Sequence, residues 1–88
     1  MDEEVYTVAG IRKVDFLDKE GKAVRGETIF LSKPIDAKMG TGIEFEKAFF
    51  SEERLAAMTY KPEVGDQVEV LYNRRGKIYL LRLALTID

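Results

Sequence analysis

Tyr72, Arg74, Arg75, Lys77 and Tyr79 lie within eight consecutive residues, with the three cations on the short turn Asn73-Arg74-Arg75-Gly76-Lys77 and a phenol on either side. Adjacent cations neutralise phosphates, and flat rings stack on bases. Together these residue types supply what a protein needs to hold a polyanionic strand without reading its sequence. A solubilising hairpin tip uses the same residues equally well. Other chemistry is poorly provided for. The chain has no histidine and no cysteine, which removes the commonest general base, the Ser-His and Cys-His nucleophile pairs, thiolate zinc sites and disulfides. Carboxylates such as Asp15, Glu44 and Glu46 read as solvated strand faces. A non-enzymatic protein without metal or cofactor is the expectation.

The basic turn is positioned by the clearest hairpin in the chain. Val68, Val70 and Tyr72 share one parity while Gln67, Glu69 and Asn73 take the other, the period-two signature of a strand with one buried face. Residues Ile78 to Leu85 form a branched and aromatic return strand, and Gly76 supplies the positive φ that the turn needs. Upstream, Val5 to Leu17 reads as a long strand with Tyr6, Val8, Val14 and Phe16 on one parity and a bulge or bend at Gly10. Asp18 to Lys22 form a hairpin loop that returns Val24 to Leu31 antiparallel. Ser32 to Gly42, with Pro34 and two glycines, has no sustained period and reads as a long, weakly packed loop.

A third strand follows, with Ile43, Phe45 and Phe49 as its inward set and Lys47 as the misfit on that side; Phe16, Phe45 and Phe49 are all read as core. Ser51 is placed to cap a short helix over about Glu52 to Met58, whose Leu55 and Met58 lie on one face. Pro62 and the Val64-Gly65-Asp66 turn then launch the fourth strand. The order is three strands, a short helix and two strands. It predicts a mainly β fold: a five-stranded OB-type Greek-key barrel with one short helix between strands 3 and 4.

At 88 residues the chain is expected to form one domain spanning 1–88, with 45% hydrophobic and 34% charged residues, ordinary globular proportions. No apolar run reaches the roughly 20 residues of a membrane span, and the opening MDEE resembles no signal peptide, so a cytoplasmic setting without membrane attachment is expected. The net charge of −2 is unevenly spread. Acid gathers at the start and in the segment after the third strand, whereas residues 67–88 are net basic, so a local basic stripe can still track phosphates.

Three segments, VAGIRKVDFLDKEGKAVRGETIFL, EKAFFS and YKPEVGDQVEVLYNRRGKIYLLRLAL, carry a resemblance. The first contains a G-K-x-V-x-G turn at Gly21, Lys22, Val24 and Gly26; the third contains a P-x-V-G-D turn at Pro62, Val64, Gly65 and Asp66 and a leucine-rich closing hairpin. The chain thereby resembles the small single-stranded-DNA-binding proteins of the filamentous-phage gene V type and their relatives in mobile elements. The resemblance implies an OB-type barrel that dimerises and coats single-stranded DNA, the sequence itself leaving RNA as the other candidate strand. It also implies basic contacts at Arg12, Lys22 and Arg25 and stacking platforms among Phe30, Phe49 and Tyr72, which join Arg74, Arg75, Lys77 and Tyr79 as candidate site residues. The acidic isoelectric point, about 5.2, departs from that family's basic character. The alternative reading is a small barrel that binds a protein partner through an exposed strand edge or the 32–42 loop.

Overall fold

Alternating side chains make strands here because each apolar set has a partner set opposite it, and the pairings fix which residues face inward. The computed structural model describes residues 5–84. It contains β1 (Val5–Leu17), β2 (Ala23–Pro34), β3 (Ile43–Ser51), the six-residue helix α1 (Glu52–Ala57), β4 (Gln67–Tyr72) and β5 (Ile78–Leu83). The predicted extension of the last strand to Leu85 lies outside the described residues. All pairings are antiparallel, in one sheet of order β3-β2-β1-β4-β5.

This sheet is open, where a barrel is expected from the sequence. Among the described residues no backbone ladder joins its edges, β3 and β5. The sheet nevertheless curls, because buried residues from both edges and all three inner strands meet in one core: Phe50 of β3, Leu31 of β2, Val8 of β1, Val68 of β4 and Leu81 of β5. A side chain spans the remaining gap. The Arg54 guanidinium of α1 donates to the Tyr79 carbonyl on β5 and lies over the Phe50 ring, 4.6 Å from its centre.

The bulge at Ala9 decides the faces of the longest strand. Val8 pairs with Leu31 and Gly10 with Phe30, so one extra residue lies between them. Tyr6 and Val8 point into the core before it; beyond it the inward positions are Ile11, Lys13 and Asp15, and Val14 and Phe16 turn outward. The predicted common parity of Tyr6, Val8, Val14 and Phe16 is therefore broken by the bulge, and Phe16 is 52% exposed rather than core. The bulge is held from outside the sheet: Val8 N–H donates to the Asp66 carbonyl at 2.8 Å, and Gly65 N–H donates to the Val8 carbonyl at 2.9 Å. That turn is itself tied by Tyr60, whose hydroxyl donates to Asp66 Oδ2 at 2.5 Å, with Glu63 N–H donating to the same oxygen at 3.1 Å. Burial first, then the neighbouring Asp66 and Glu63 carboxylates, push the Tyr60 phenol well above its ordinary value.

The third strand runs with the opposite parity to that predicted. Ala48 and Phe50 face the core, opposite Ile29 and Glu27, while Ile43, Phe45, Lys47 and Phe49 share the outer face. Only one of the adjacent rings Phe49 and Phe50 can point inward, and Phe50 is fully buried. The Phe49 ring instead covers Gly26 on β2. A Cβ built on Gly26 would lie 2.8 Å from the Phe49 Cζ and against the Phe50 carbonyl oxygen, so no side chain fits there.

The β1–β2 and β4–β5 hairpins share one wiring. Asp18 Oδ1 accepts from Glu20 N–H and Lys22 N–H, and Asn73 Oδ1 accepts from Arg75 N–H and Lys77 N–H; Gly21 and Gly76 take φ of 82° and 78°. The segment 32–42 is more ordered than its sequence suggests. Ser32, Lys33 and Pro34 continue β2, and residues 35–42 form a hairpin loop closed by Ile35 N–H to the Gly42 carbonyl and braced by Asp36. The helix starts at Ser51, whose Oγ accepts from Arg54 N–H at 3.3 Å, and Leu55 and Met58 pack against the core as predicted. Among the described residues no helix is long and apolar enough to cross a membrane.

Two tests follow from these contacts. Gly26→Ala relieves a chain-entropy cost of about 0.5–1 kcal/mol, yet overpacking costs about 1–3 kcal/mol, so a net loss of stability is expected in urea unfolding. Tyr60→Phe should cost about 1.5 kcal/mol at neutral pH, the loss of a hydrogen bond to a charged acceptor. Because folding raises the Tyr60 pKa, its contribution is complete below the unfolded value near 10 and is lost as pH climbs above it. Stability of the natural chain should therefore fall above pH 10 more steeply than that of Tyr60→Phe, which pH-dependent unfolding measures directly.

Candidate nucleic-acid interface

The outer face of β1, β2 and β3 is built from alternate residues of three paired strands. Its outward positions are Thr7, Gly10, Arg12, Val14 and Phe16 on β1, Val24, Gly26, Thr28, Phe30, Ser32 and Pro34 on β2, and Ile43, Phe45, Lys47, Phe49 and Ser51 on β3. No carboxylate occupies any of them. The acids of these strands, Asp15, Glu27, Glu44 and Glu46, all take the other parity, where Asp15 pairs with Arg25 at 3.3 Å and Glu44 with Lys33 at 4.0 Å. Four of the five phenylalanines, Phe16, Phe30, Phe45 and Phe49, lie on this acid-free face together with Arg12 and Lys47.

Two of the rings rest on glycine. Phe49 lies over Gly26, and Phe30 lies over Gly10, where a Cβ would sit 3.8 Å from the ring. Arg12 stands over Phe30 with its guanidinium carbon 5.7 Å from the ring centre, and Lys47 is the direct cross-strand partner of Phe30. Phe45 is the most exposed of the rings, at 68%. Cation and ring therefore alternate across the face: Arg12, Phe30, Lys47 and, one pair along, Phe49.

From Lys47 and Phe49 the face continues into the gap between the sheet edges. A cleft of about 460 Å³ opens there, lined by Lys47, Phe49, Arg54, Tyr72, Lys77 and Tyr79 among others. The structure thus brings Tyr72, Lys77 and Tyr79 of the closing hairpin beside β3, and leaves Arg74 and Arg75 exposed on the adjoining turn. Phe30 and Arg12 belong to the same continuous surface. Arg25 takes the opposite parity and pairs with Asp15 at 3.3 Å, and Lys22 sits on the β1–β2 turn, a different hairpin from that of Lys77. Arg82 is likewise committed, its Nε lying 2.5 Å from Glu69 Oε1.

Lys47, Phe45 and Arg54 are the site residues that sequence reasoning passes over. A signal for the first two was present in Phe49-Phe50: once one ring is assigned outward, Lys47 and Phe45 follow by alternation. Arg54 carries no such signal, since its reach to β5 depends on how the sheet curls. Among the described residues no group of three or more acidic side chains is arranged to hold a metal ion. Comparison of the chain with known protein families, with curated proteins and with solved structures finds no match in any of the three.

Proposed function

We propose that this protein binds single-stranded nucleic acid, with DNA as the first candidate and RNA as the second, across the outer face of β1, β2 and β3, and that its curled sheet is an open form of the OB-type barrel. The strand order supports the fold reading. A sheet of order β3-β2-β1-β4-β5 with a helix between the third and fourth strands becomes that barrel once its two edges meet, and the strand 2 and 3 face is where such barrels hold oligonucleotides. The gene V-type resemblance of the sequence supports the same reading.

The observation that carries it is the absence of any carboxylate at the outward positions of three strands that carry four phenylalanines, Arg12 and Lys47. A chain of net charge −2 repels a polyanion at long range. Screening over a Debye length of about 8 Å weakens that repulsion, and the charges that stand on this face itself, Arg12 and Lys47, are positive. Each stacked base contributes about 1–3 kcal/mol, and such stacking tolerates any sequence.

A second reading has its own support in the edges of β3 and β5, which form no ladder with one another and, the Tyr79 carbonyl apart, offer backbone donors and acceptors to an extended peptide. The homodimer belongs to the first reading, since β5 leaves Leu83 50% exposed and a second copy would cover it.

Titration with an oligothymidylate separates these possibilities. With about three or four phosphates contacted, log K should fall against log salt with a slope of about −2 to −3. Arg12→Glu with Lys47→Glu should weaken binding and flatten that slope, whereas Phe45→Ala should weaken it by about 5- to 150-fold and leave the slope unchanged, because stacking releases no counterions. No binding at low salt would defeat the nucleic-acid reading and favour the peptide. Light scattering at tens of micromolar should return the mass of two chains; one chain would remove the dimer.

A further inference from the structure

The seam between β3 and β5 is more than a place where the sheet fails to close. Its volume, about 460 Å³, lies within the range of about 300–1,000 Å³ typical of small-ligand sites. Three cations line it, Lys47, Arg54 and Lys77, against the single carboxylate Glu46, and Phe49, Tyr72 and Tyr79 supply rings. One of the cations is fixed in place. Arg54 is stacked on Phe50 and bonded to the Tyr79 carbonyl, which uses one donor of a five-donor guanidinium and leaves the rest of its planar fork for an anion.

We propose that this seam seats one nucleotide unit, its phosphate held by Arg54 and Lys77 and its base stacked on Tyr79; the proposal rests on the single-strand reading above. The positive excess favours an anionic occupant. The geometry disfavours an inserted peptide strand, because the Tyr79 carbonyl, an acceptor such a strand would need from β5, is already taken by Arg54. Lys47 and Phe49 line the seam and also stand on the outer face, so a strand crossing that face can place its next residue in the cleft without a gap. Tyr79 is suited to the stacking role, since it is 45% exposed while its backbone is anchored.

The test follows backbone amide resonances of the full chain during separate titrations with thymidine 5′-monophosphate, thymidine, inorganic phosphate and an oligothymidylate. The monophosphate should shift the amides of residues 46–49 and 76–79 and bind at least about tenfold more tightly than thymidine or phosphate alone, as expected when stacking and charge act together. Lys77→Glu should abolish that preference. Tyr79→Ala, which keeps the carbonyl that Arg54 uses, should reduce monophosphate affinity to the level of phosphate, with an unchanged circular dichroism spectrum showing that the fold is intact. Equal binding of phosphate and monophosphate, or a Tyr79→Ala variant with full affinity, overturns the proposal. If the oligothymidylate shifts the Phe30 and Phe45 amides but not those of the seam, the seam proposal falls and the strand reading stands. If the monophosphate binds in the seam while the oligothymidylate does not bind, the strand reading falls and the seam remains a mononucleotide site.

Discussion

A one-residue offset in β1 sets which of its residues stand on the outer face of the sheet. Because side chains alternate strictly along a strand, the extra residue at Ala9 exchanges the two faces for the remainder of β1, and each paired strand must follow that choice. Tyr6 and Val8 enter the core on one side of the bulge, and Arg12 and Phe16 leave it on the other. The offset persists because both backbone groups of Val8 are satisfied by the 65–66 turn, which spares the sheet an unpaired donor and acceptor at that point. Tyr60 and Asp66 secure that turn, so a contact remote from the aromatic face braces the register that places Arg12 and Phe16 on it.

The same offset reconciles an acidic chain with a cationic face. Beyond the bulge, the charged residues of β1 and β2 at inward positions, Lys13 opposite Glu27 and Asp15 opposite Arg25, oppose one another across the ladder at the end of the sheet that extends past the core. Opposite charges facing each other in this way stabilise a pair modestly and leave almost no net field. Arg12 and Lys47 have no acid across from them, since their cross-strand partners are Thr28 and Phe30. A count of charges along the chain cannot reveal this partition, because it depends on register.

Much of the fold was legible in local sequence. The β1–β2 and β4–β5 turns, the helix cap at Ser51 and the limits of β1 follow from residue types that have few other places to go: Asp or Asn with Gly three residues on at the turn, and Ser before two glutamates. Whether the sheet closes was not legible, since that depends on curvature summed over five strands. Nor was the outward orientation of Phe16, Phe45 and Phe49. Hydrophobicity alone places a phenylalanine inside, and only the buried neighbour Phe50 and the bulge reverse that inference. For the closing hairpin, Tyr72, Lys77 and Tyr79 were identifiable as a group because they are close in sequence, whereas their neighbours Lys47 and Arg54 arrive through tertiary structure.

The rings laid on glycine have a thermodynamic consequence. A phenylalanine that is free to change rotamer must give up that freedom when a ligand settles on it, at a cost of about 0.5–1.5 kcal/mol for each side chain immobilised. Phe49 on Gly26 and Phe30 on Gly10 have already been confined by the chain's own packing, so that entropy is surrendered during folding and not again on association. Enlarging Gly26 would therefore do more than crowd the sheet: with a Cβ 2.8 Å from the Phe49 ring, it would lift that ring away from its support and restore the motion that the small residue suppresses.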